Sequence, residues 1–526
     1  MDSNFSDSPK PPEAGSRGRP QHDKMRLSLM RSVVTEPLLS KVRAAVSDPA
    51  QSQDFEVIIA LNEVYREGAA AAMEQASARA REWNVPFTTV SGYLVATLTA
   101  SQILKLAEES RNLTKAGGNA ASVVYRIWED TDVSTTLTRS LVTVKADAAQ
   151  RAFQARGEGI VWGVLDSGIE VHPHFKGVSS QFGPYDALNA TAPLAHTDFT
   201  PDGAGAAPQT ALTDRLGHGT HVAGIIAGYW ESSTPEGELV VGTEVRDEST
   251  DDSIPQRDSL RVISGVAPKA RLVSLKVIAD VTRRDTVKQT AGQGKVSWIL
   301  KAIEQIQTWN QNGRRLLIHG VNMSLGYDFN PRWFACGQSP LCVEVNRLVR
   351  SGVVVVVSAG NGGFGTFVDA DNQVQSRYSE LSITDPGNAD LAITVGSTHR
   401  EMPHTFGVSY FSSRGPTGDG RLKPDLLAPG ERIISCAAGQ EVAKYGTADE
   451  AGNAVGPVLY CELSGTSMAA PHVSGAVAAF LSVRSEFIGQ PERVKQIFLD
   501  NAVDLRRERS FQGAGLLDLM KVLQAV

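Results

Sequence analysis

Five consecutive valines occupy positions 353–357 and run without a polar interruption into Ser358-Ala359-Gly360-Asn361. A strand of that composition has no face to give to water, so it belongs inside a sheet covered on both sides. It is also far too short to span a bilayer. Similar apolar runs occupy residues 160–165, 271–278, 316–323 and 391–395, with helical segments between them. This alternation predicts an α/β fold, a doubly wound and mostly parallel sheet with helices on both faces. In such sheets, sites form beyond the carboxyl ends of the strands.

A chain of 526 residues exceeds what one core ordinarily fills, so a large domain and a smaller one are expected. Residues 1–50 read as a flexible tail and lead-in, the first 24 being polar and Pro-rich. A strand-like run at 55–61 is followed by an Ala-rich helical stretch at 68–83. Segments 87–90 and 93–98 then flank Ser91-Gly92, a two-residue hairpin signal. Thr99 can cap the next helix while Gln102 reaches back, with Ile103, Leu104, Leu106 and Ala107 turned inward, and a strand at 123–128 closes the unit. The β-α-β-β-α-β order predicts a small α+β ferredoxin-like module over residues 51–130. A linker at 131–145 and a large domain at 146–526 follow.

The net charge of −7, with no Lys/Arg run, argues against nucleic acid or an anionic membrane as a partner. No apolar run of signal-peptide length follows Met1, Met25 or Met30, so a cytoplasmic location is expected, with non-classical export left open. The four Cys form no CxxC pair. Cys336 with Cys342, and Cys436 with Cys461, read equally well as disulfides or as free thiols.

Three short segments carry the chemistry. The run at 160–165 ends in Asp166-Ser167-Gly168, which puts a carboxylate at the edge where such a sheet builds its site. Alone, an Asp there would ordinarily be a turn or cap residue. Gly217-His218-Gly219-Thr220-His221-Val222-Ala223-Gly224 reads as a helix start whose small residues permit close packing, with His218 in its first turn and His221 left to packing or hydrogen bonding. Ser464-Gly465-Thr466-Ser467-Met468-Ala469-Ala470-Pro471 leads into an Ala-rich helix, which sets Ser467 at a helix N-terminus where free N–H groups favour a developing oxyanion. A serine hydroxyl needs a general base within reach, and His218 titrates in the right range. The imidazole in turn needs a carboxylate on its far nitrogen, and Asp166 fits.

The motifs VLDSGI, GHGTHVAG and GTSMAAPHVSG closely resemble the three catalytic motifs of the subtilase family, in the family's own order Asp, His, Ser. The likeness continues through GVAPKARLVSLKV at 265–277, VNMSLG at 321–326, SAGN at 358–361, KPDLLAPG at 423–430 and QGAGLLD at 512–518, and covers roughly residues 135–526. It implies a subtilisin-like fold and a serine endopeptidase working through an acyl-enzyme, with Asp166, His218 and Ser467 as the triad. It further implies an oxyanion hole from Asn361 and the Ser467 backbone N–H. An extended polypeptide would be clamped between Gly292-Gln293-Gly294 and Ser324-Leu325-Gly326, with Ala359 and Gly360 also lining the cleft. The N-terminal module is similar to the subtilase propeptide, which implies an intramolecular inhibitor with residues 131–138 as its tail. The alternative is a catalytically silent subtilase fold that holds a peptide in the same groove.

Three departures qualify the resemblance. Many subtilases have an Asp after His-Pro that helps bind calcium, and here His174 follows His172-Pro173, a poor ligand for a hard cation. No cofactor or metal is expected for the chemistry, and a structural calcium stays unassigned. Residues 231–258 form an acidic insertion whose carboxylates suit calcium or cationic substrates, although a solvated loop is expected. A second insertion at 440–458 precedes the serine motif and is expected to form a rim or lid.

Overall fold

The computed structural model describes residues 33–47, 54–62, 65, 67–90, 93–115, 123–129, 139–203, 208–232, 239–246, 253–282, 290–368, 374–446 and 456–526. The chain divides into two compact units, 1–135 and 136–526.

The first unit runs α1 (Glu36–Ser47), β1 (Asp54–Leu61), α2 (Ala69–Glu82), β2 (Phe87–Val90), β3 (Tyr93–Thr99), α3 (Ala100–Lys115) and β4 (Val124–Glu129). Its strands pair in the order β2-β3-β1-β4, the antiparallel arrangement of the ferredoxin-like motif. The reciprocal cap of α3 is present: Thr99 N–H donates to Gln102 Oε1 at 2.8 Å and Gln102 N–H to Thr99 Oγ1 at 3.2 Å. Residues 91–92 and the expected tail at 131–138 lie outside the described residues, as does the segment 1–32. One boundary moves. Leu38, Leu39 and Val42 of α1, with Val34 just before it, are fully buried in this unit's core, so the ordered unit starts well inside the expected lead-in. Short as it is, α1 offers an apolar stripe at helical spacing, and burial of that stripe rather than propensity holds it.

The second unit contains β5 (Val161–Asp166), α4 (His218–Ile226), β6 (Leu239–Arg246), β7 (Ser253–Leu260), β8 (Arg271–Lys276), β9 (Ile278–Thr282), β10 (Thr290–Gly294), α5 (Val296–Trp309), β11 (Gly320–Met323), α6 (Pro340–Arg350), β12 (Val354–Ser358), β13 (Ile393–His399), β14 (Leu426–Glu431), β15 (Ile433–Cys436), α7 (Gly439–Lys444), β16 (Tyr460–Leu463) and α8 (Thr466–Val483). The central sheet has the order β14-β13-β12-β11-β5-β8, with a short seventh strand, Thr197–Asp198, beyond β8. All its pairings are parallel. The valine run shows why: Val354 and Val356 enter the core on the α4/α8 side, while Val353, Val355 and Val357 enter the core on the α5/α6 side. Residues 139–152, partly assigned to a linker from the sequence, also pack here, with Leu141, Val144, Ala146 and Ala149 buried.

Helix α8 is the one helix among the described residues long and apolar enough to cross a membrane, and 83% of that window is buried inside the unit. Its apolar length is accounted for by packing against the sheet and α4.

The two insertions form one structure, which corrects the expected solvated loop. β6 and β7 make an antiparallel hairpin, β6 pairs in parallel with β16, and β16 pairs with β15, giving a second four-stranded sheet in the order β7-β6-β16-β15. Leu239, Val241 and Thr243 alternate inward along β6, and burial of that face outweighs the acidic character of the segment. Arg257 of β7 donates to the carbonyls of Tyr445 and Gly456, and the Tyr445 ring packs on Gly242. All four cysteines are buried free thiols, so neither pairing closes. In the strand register Cys461 faces Ser435 rather than Cys436.

Candidate active site

Asp166 is the last residue of β5 and is 1% exposed. Helix α4 begins at His218 and lies unusually close to that strand end. A Cβ at Gly219 would stand 2.2 Å from the Gly168 carbonyl oxygen and 3.0 Å from Asp166 Cβ, so only glycine permits the approach. The result is a bond of 2.8 Å between His218 Nδ1 and Asp166 Oδ1, while Oδ1 also accepts from the Ser167 N–H at 2.8 Å. The first bond assigns the proton on the imidazole to Nδ1 and leaves Nε2 as the acceptor.

A second buried carboxylate supports this pair. Asp214 Oδ1 accepts from Gly217 N–H and from Ser167 Oγ, both at 2.9 Å, and Oδ2 accepts from Thr220 N–H and Oγ1 at 2.8 and 2.7 Å. It thus caps α4 and braces the residue after Asp166. Burial pushes its own pKa up, the Thr220 bonds work the other way, and Asp166 adds to the rise. For His218, burial opposes the charged form, but the charge and hydrogen bond of Asp166 outweigh it with help from Asp214 and Glu441, and its pKa stands above the ordinary 6.5.

Ser467 is the second residue of α8, after the N-cap Gly465 and Thr466. Pro471 sits four residues on and has no N–H to give to the Ser467 carbonyl. That carbonyl instead accepts from Ser324 Oγ at 2.8 Å, which in turn accepts from Asn322 Nδ2 at 2.9 Å, with Ser474 Oγ donating to Asn322 Oδ1 at 2.8 Å. A chain of buried polar groups therefore ties the start of α8 to the end of β11. The Ser467 hydroxyl donates to the Ser324 carbonyl at 3.2 Å and makes no hydrogen bond to His218.

Asn361 follows β12. Its Oδ1 accepts from both the N–H and Oγ1 of Thr466, each at 2.9 Å, which fixes the amide and leaves Nδ2 as the outward donor. Thr466 Oγ1 also accepts from Gly360 N–H at 3.2 Å. A Cβ at Gly465 would stand 3.3 Å from Asn361 Nδ2 and 3.7 Å from the Ser467 nitrogen. The bare glycine therefore leaves an open spot flanked by two donors, the geometry that binds an oxyanion. Beside it a cleft of about 360 Å³ is lined by Asn361, Tyr410, Phe411, Glu431, Arg432 and Ser464.

The remaining expected residues lie around this centre. Gly292, Gln293 and Gly294 are exposed on β10, which pairs with β9, and a Cβ on Gly292 would meet Leu216, two residues before His218, at 2.9 Å. Ser324, Leu325 and Gly326 leave β11 next to Ser467. Ala359 is buried and Gly360 half-buried at the end of β12. His221 is buried, with Nε2 between the carbonyls of Ile433 and Cys461 at 3.1 Å each, and burial takes its pKa down to about 3.

The position where the resemblance would put a calcium ligand, doubted from the sequence because it holds His174, does not suit calcium. His174 is fully buried among His172, Phe175 and Tyr460, with Nε2 to the Gly224 carbonyl and Tyr460 Oη to Nδ1, both 3.3 Å. Burial holds His172 down to about 4 and His174 to about 3, so both are neutral packing groups. Among the described residues no cluster of three His, Cys, Asp or Glu is placed to hold a metal.

Sequence reasoning missed Asp214, Thr466 and Ser324 Oγ as supports. An Asp just before a predicted helix start is a capping signal that would have found Asp214. The other two act through tertiary contacts that carry no local pattern.

The sequence profile of the subtilase family matches residues 157–516. The chain is 28% identical over 368 residues to the serine protease AprX of Bacillus subtilis, covering 69% of this chain and 65% of that protein. It is 28% identical over 371 residues to the major intracellular serine protease of the same organism, covering 69% and 82%. It is 29% identical over 356 residues to pyrolysin of Pyrococcus furiosus, covering 60% and 22%. The matched region thus spans less than two thirds of AprX and of pyrolysin.

Proposed function

The chain belongs to the subtilase family, and on that premise we propose that it is a serine endopeptidase that hydrolyses an extended polypeptide through an acyl-enzyme. The observation that carries the reading is the 2.8 Å bond from His218 Nδ1 to Asp166 Oδ1 at the same sheet edge as Ser467 and the Asn361 amide. Ser467 Oγ attacks the scissile carbonyl while His218 Nε2 takes its proton and later gives it to the leaving amine. Asp166 holds the imidazole tautomer and stabilises the imidazolium. Asn361 Nδ2 and the Ser467 N–H bind the oxyanion. The hydroxyl must first turn from the Ser324 carbonyl toward His218, a rearrangement of the kind expected when a ligand-free site fills. Gly292-Gln293-Gly294 and Ser324-Leu325-Gly326 pair with the substrate backbone.

The ferredoxin-like unit serves on this reading as an intramolecular inhibitor that delays activity until it is removed. The test is covalent labelling with a fluorophosphonate. Labelling at Ser467, lost in Ser467→Ala and appearing only after the N-terminal unit is digested, is the expected result. Absence of labelling in every form refutes the hydrolase, and immediate full labelling of the uncut chain refutes the inhibitor role alone.

A further inference from the structure

Helix α7, at the start of the second insertion, packs against the residues that lead into His218. Gln440 N–H donates to the Arg215 carbonyl at 2.9 Å, and a Cβ on Gly217 would stand 2.3 Å from the Ala438 carbonyl oxygen and 3.0 Å from Glu441 Cγ. The Glu441 side chain therefore lies over the residue that precedes His218.

That carboxylate is half-buried and, among the described residues, has neither a hydrogen-bond nor an ion-pair partner. The nearby cations face elsewhere: Lys444, one turn along α7, pairs with Glu244, and Arg215 faces Asp280 Oδ2 at 3.8 Å. The other groups that act on it are His218 and the carboxylate of Asp214. Burial pushes the Glu441 pKa up and Asp214 adds to the rise, while His218 opposes it. A carboxylate stripped of part of its water and given no partner is improved by any cation that reaches it. It acts electrostatically on His218 from beside Gly217, and on the endopeptidase reading that imidazole serves the scissile bond.

We propose that Glu441 is a specificity-determining residue that selects substrates carrying Lys or Arg within two residues of the scissile bond. The proposal rests on the endopeptidase reading and adds a substrate class to it.

The experiment uses the full chain, incubated until its activity is constant, and fluorogenic peptides in which Lys, Arg, Ala or Glu is stepped through three positions on each side of the cleaved bond. Assays are run above the acid limb of the pH profile, with fluorophosphonate labelling of Ser467 in parallel. The expected result is a Lys-to-Ala ratio in kcat/KM of roughly ten or more at one position next to the bond. That ratio falls about tenfold in Glu441→Gln and inverts toward acidic peptides in Glu441→Lys. A ratio that stays within twofold in both variants, or an equal loss on every peptide, overturns the proposal while labelling and hydrolysis leave the endopeptidase reading standing. Loss of labelling in the unaltered chain overturns both.

Discussion

Helix α4 lies between two sheets made of different materials. On one side is the central sheet, with strands apolar on both faces and ends carrying Asp166, Ser324 and Asn361. On the other is the accessory sheet, with Leu239, Val241 and Thr243 turned inward, Arg257 bonded to the Tyr445 carbonyl and Glu244 paired with Lys444 of α7. The two grip the helix differently. The central sheet fixes His218 through a buried carboxylate, whereas the accessory sheet receives His221 Nε2 on two carbonyls and donates Ser435 Oγ to the His221 carbonyl at 2.8 Å. On the endopeptidase reading one sheet supplies the chemistry and the other supplies surroundings, so the two contributions are separable by mutation.

The largest expected effect lies on the chemical side. Ser467→Ala should lower kcat by about 10⁶, the size of the loss seen in subtilisin itself, with the accessory sheet and thermal stability unaffected; a variant that kept more than a hundredth of the activity would break the division. Next, Asn361→Ala should cost about 10²–10³ in kcat with little change in KM, as for such a donor in subtilisin. Thr466→Val, which removes one of the two bonds that hold Asn361 Oδ1 and the acceptor of the Gly360 N–H, should cost roughly tenfold. On the other side, Tyr445→Ala removes a buried ring that packs on Gly242 and should destabilise the accessory sheet by about 2–4 kcal/mol, read by differential calorimetry or local hydrogen exchange. It should erase any preference for basic residues while Ser467 still labels.

The subtlest test joins the two regions through pH. On the endopeptidase reading catalysis needs neutral His218, whose pKa is raised, so kcat/KM should fall as pH drops through a value above 6.5. Glu441→Gln removes a negative charge that favours the imidazolium, so the His218 pKa should fall and activity should persist to lower pH. A limb that did not move, or moved upward, would show that α7 does not reach the imidazole electrostatically.

What could be read beforehand follows the same division. Asp166, His218, Ser467 and Asn361 were legible because each sits at a strand end or helix start, and local sequence specifies those positions with glycine, capping residues and apolar runs. The valine run announced its own two-sided burial, and Thr99 and Gln102 announced a cap that forms. The accessory sheet was not legible as a sheet. Residues 239–246 do alternate, but the acidic surroundings favoured a loop, and the pairing of β6 with β16 joins segments about two hundred residues apart. No local pattern records such a contact. Asp214 lay between these cases: its capping role was open to sequence from its place before the histidine motif, whereas its bond to Ser167 carries no local pattern.

The resting position of the Ser467 hydroxyl, bonded to the Ser324 carbonyl, bears on timing. An incoming peptide strand that pairs along Ser324-Leu325-Gly326 competes for that same oxygen. On the endopeptidase reading, the guest's arrival would then evict the hydroxyl toward the imidazole, so that loading and arming become one event and an empty cleft keeps its nucleophile latched.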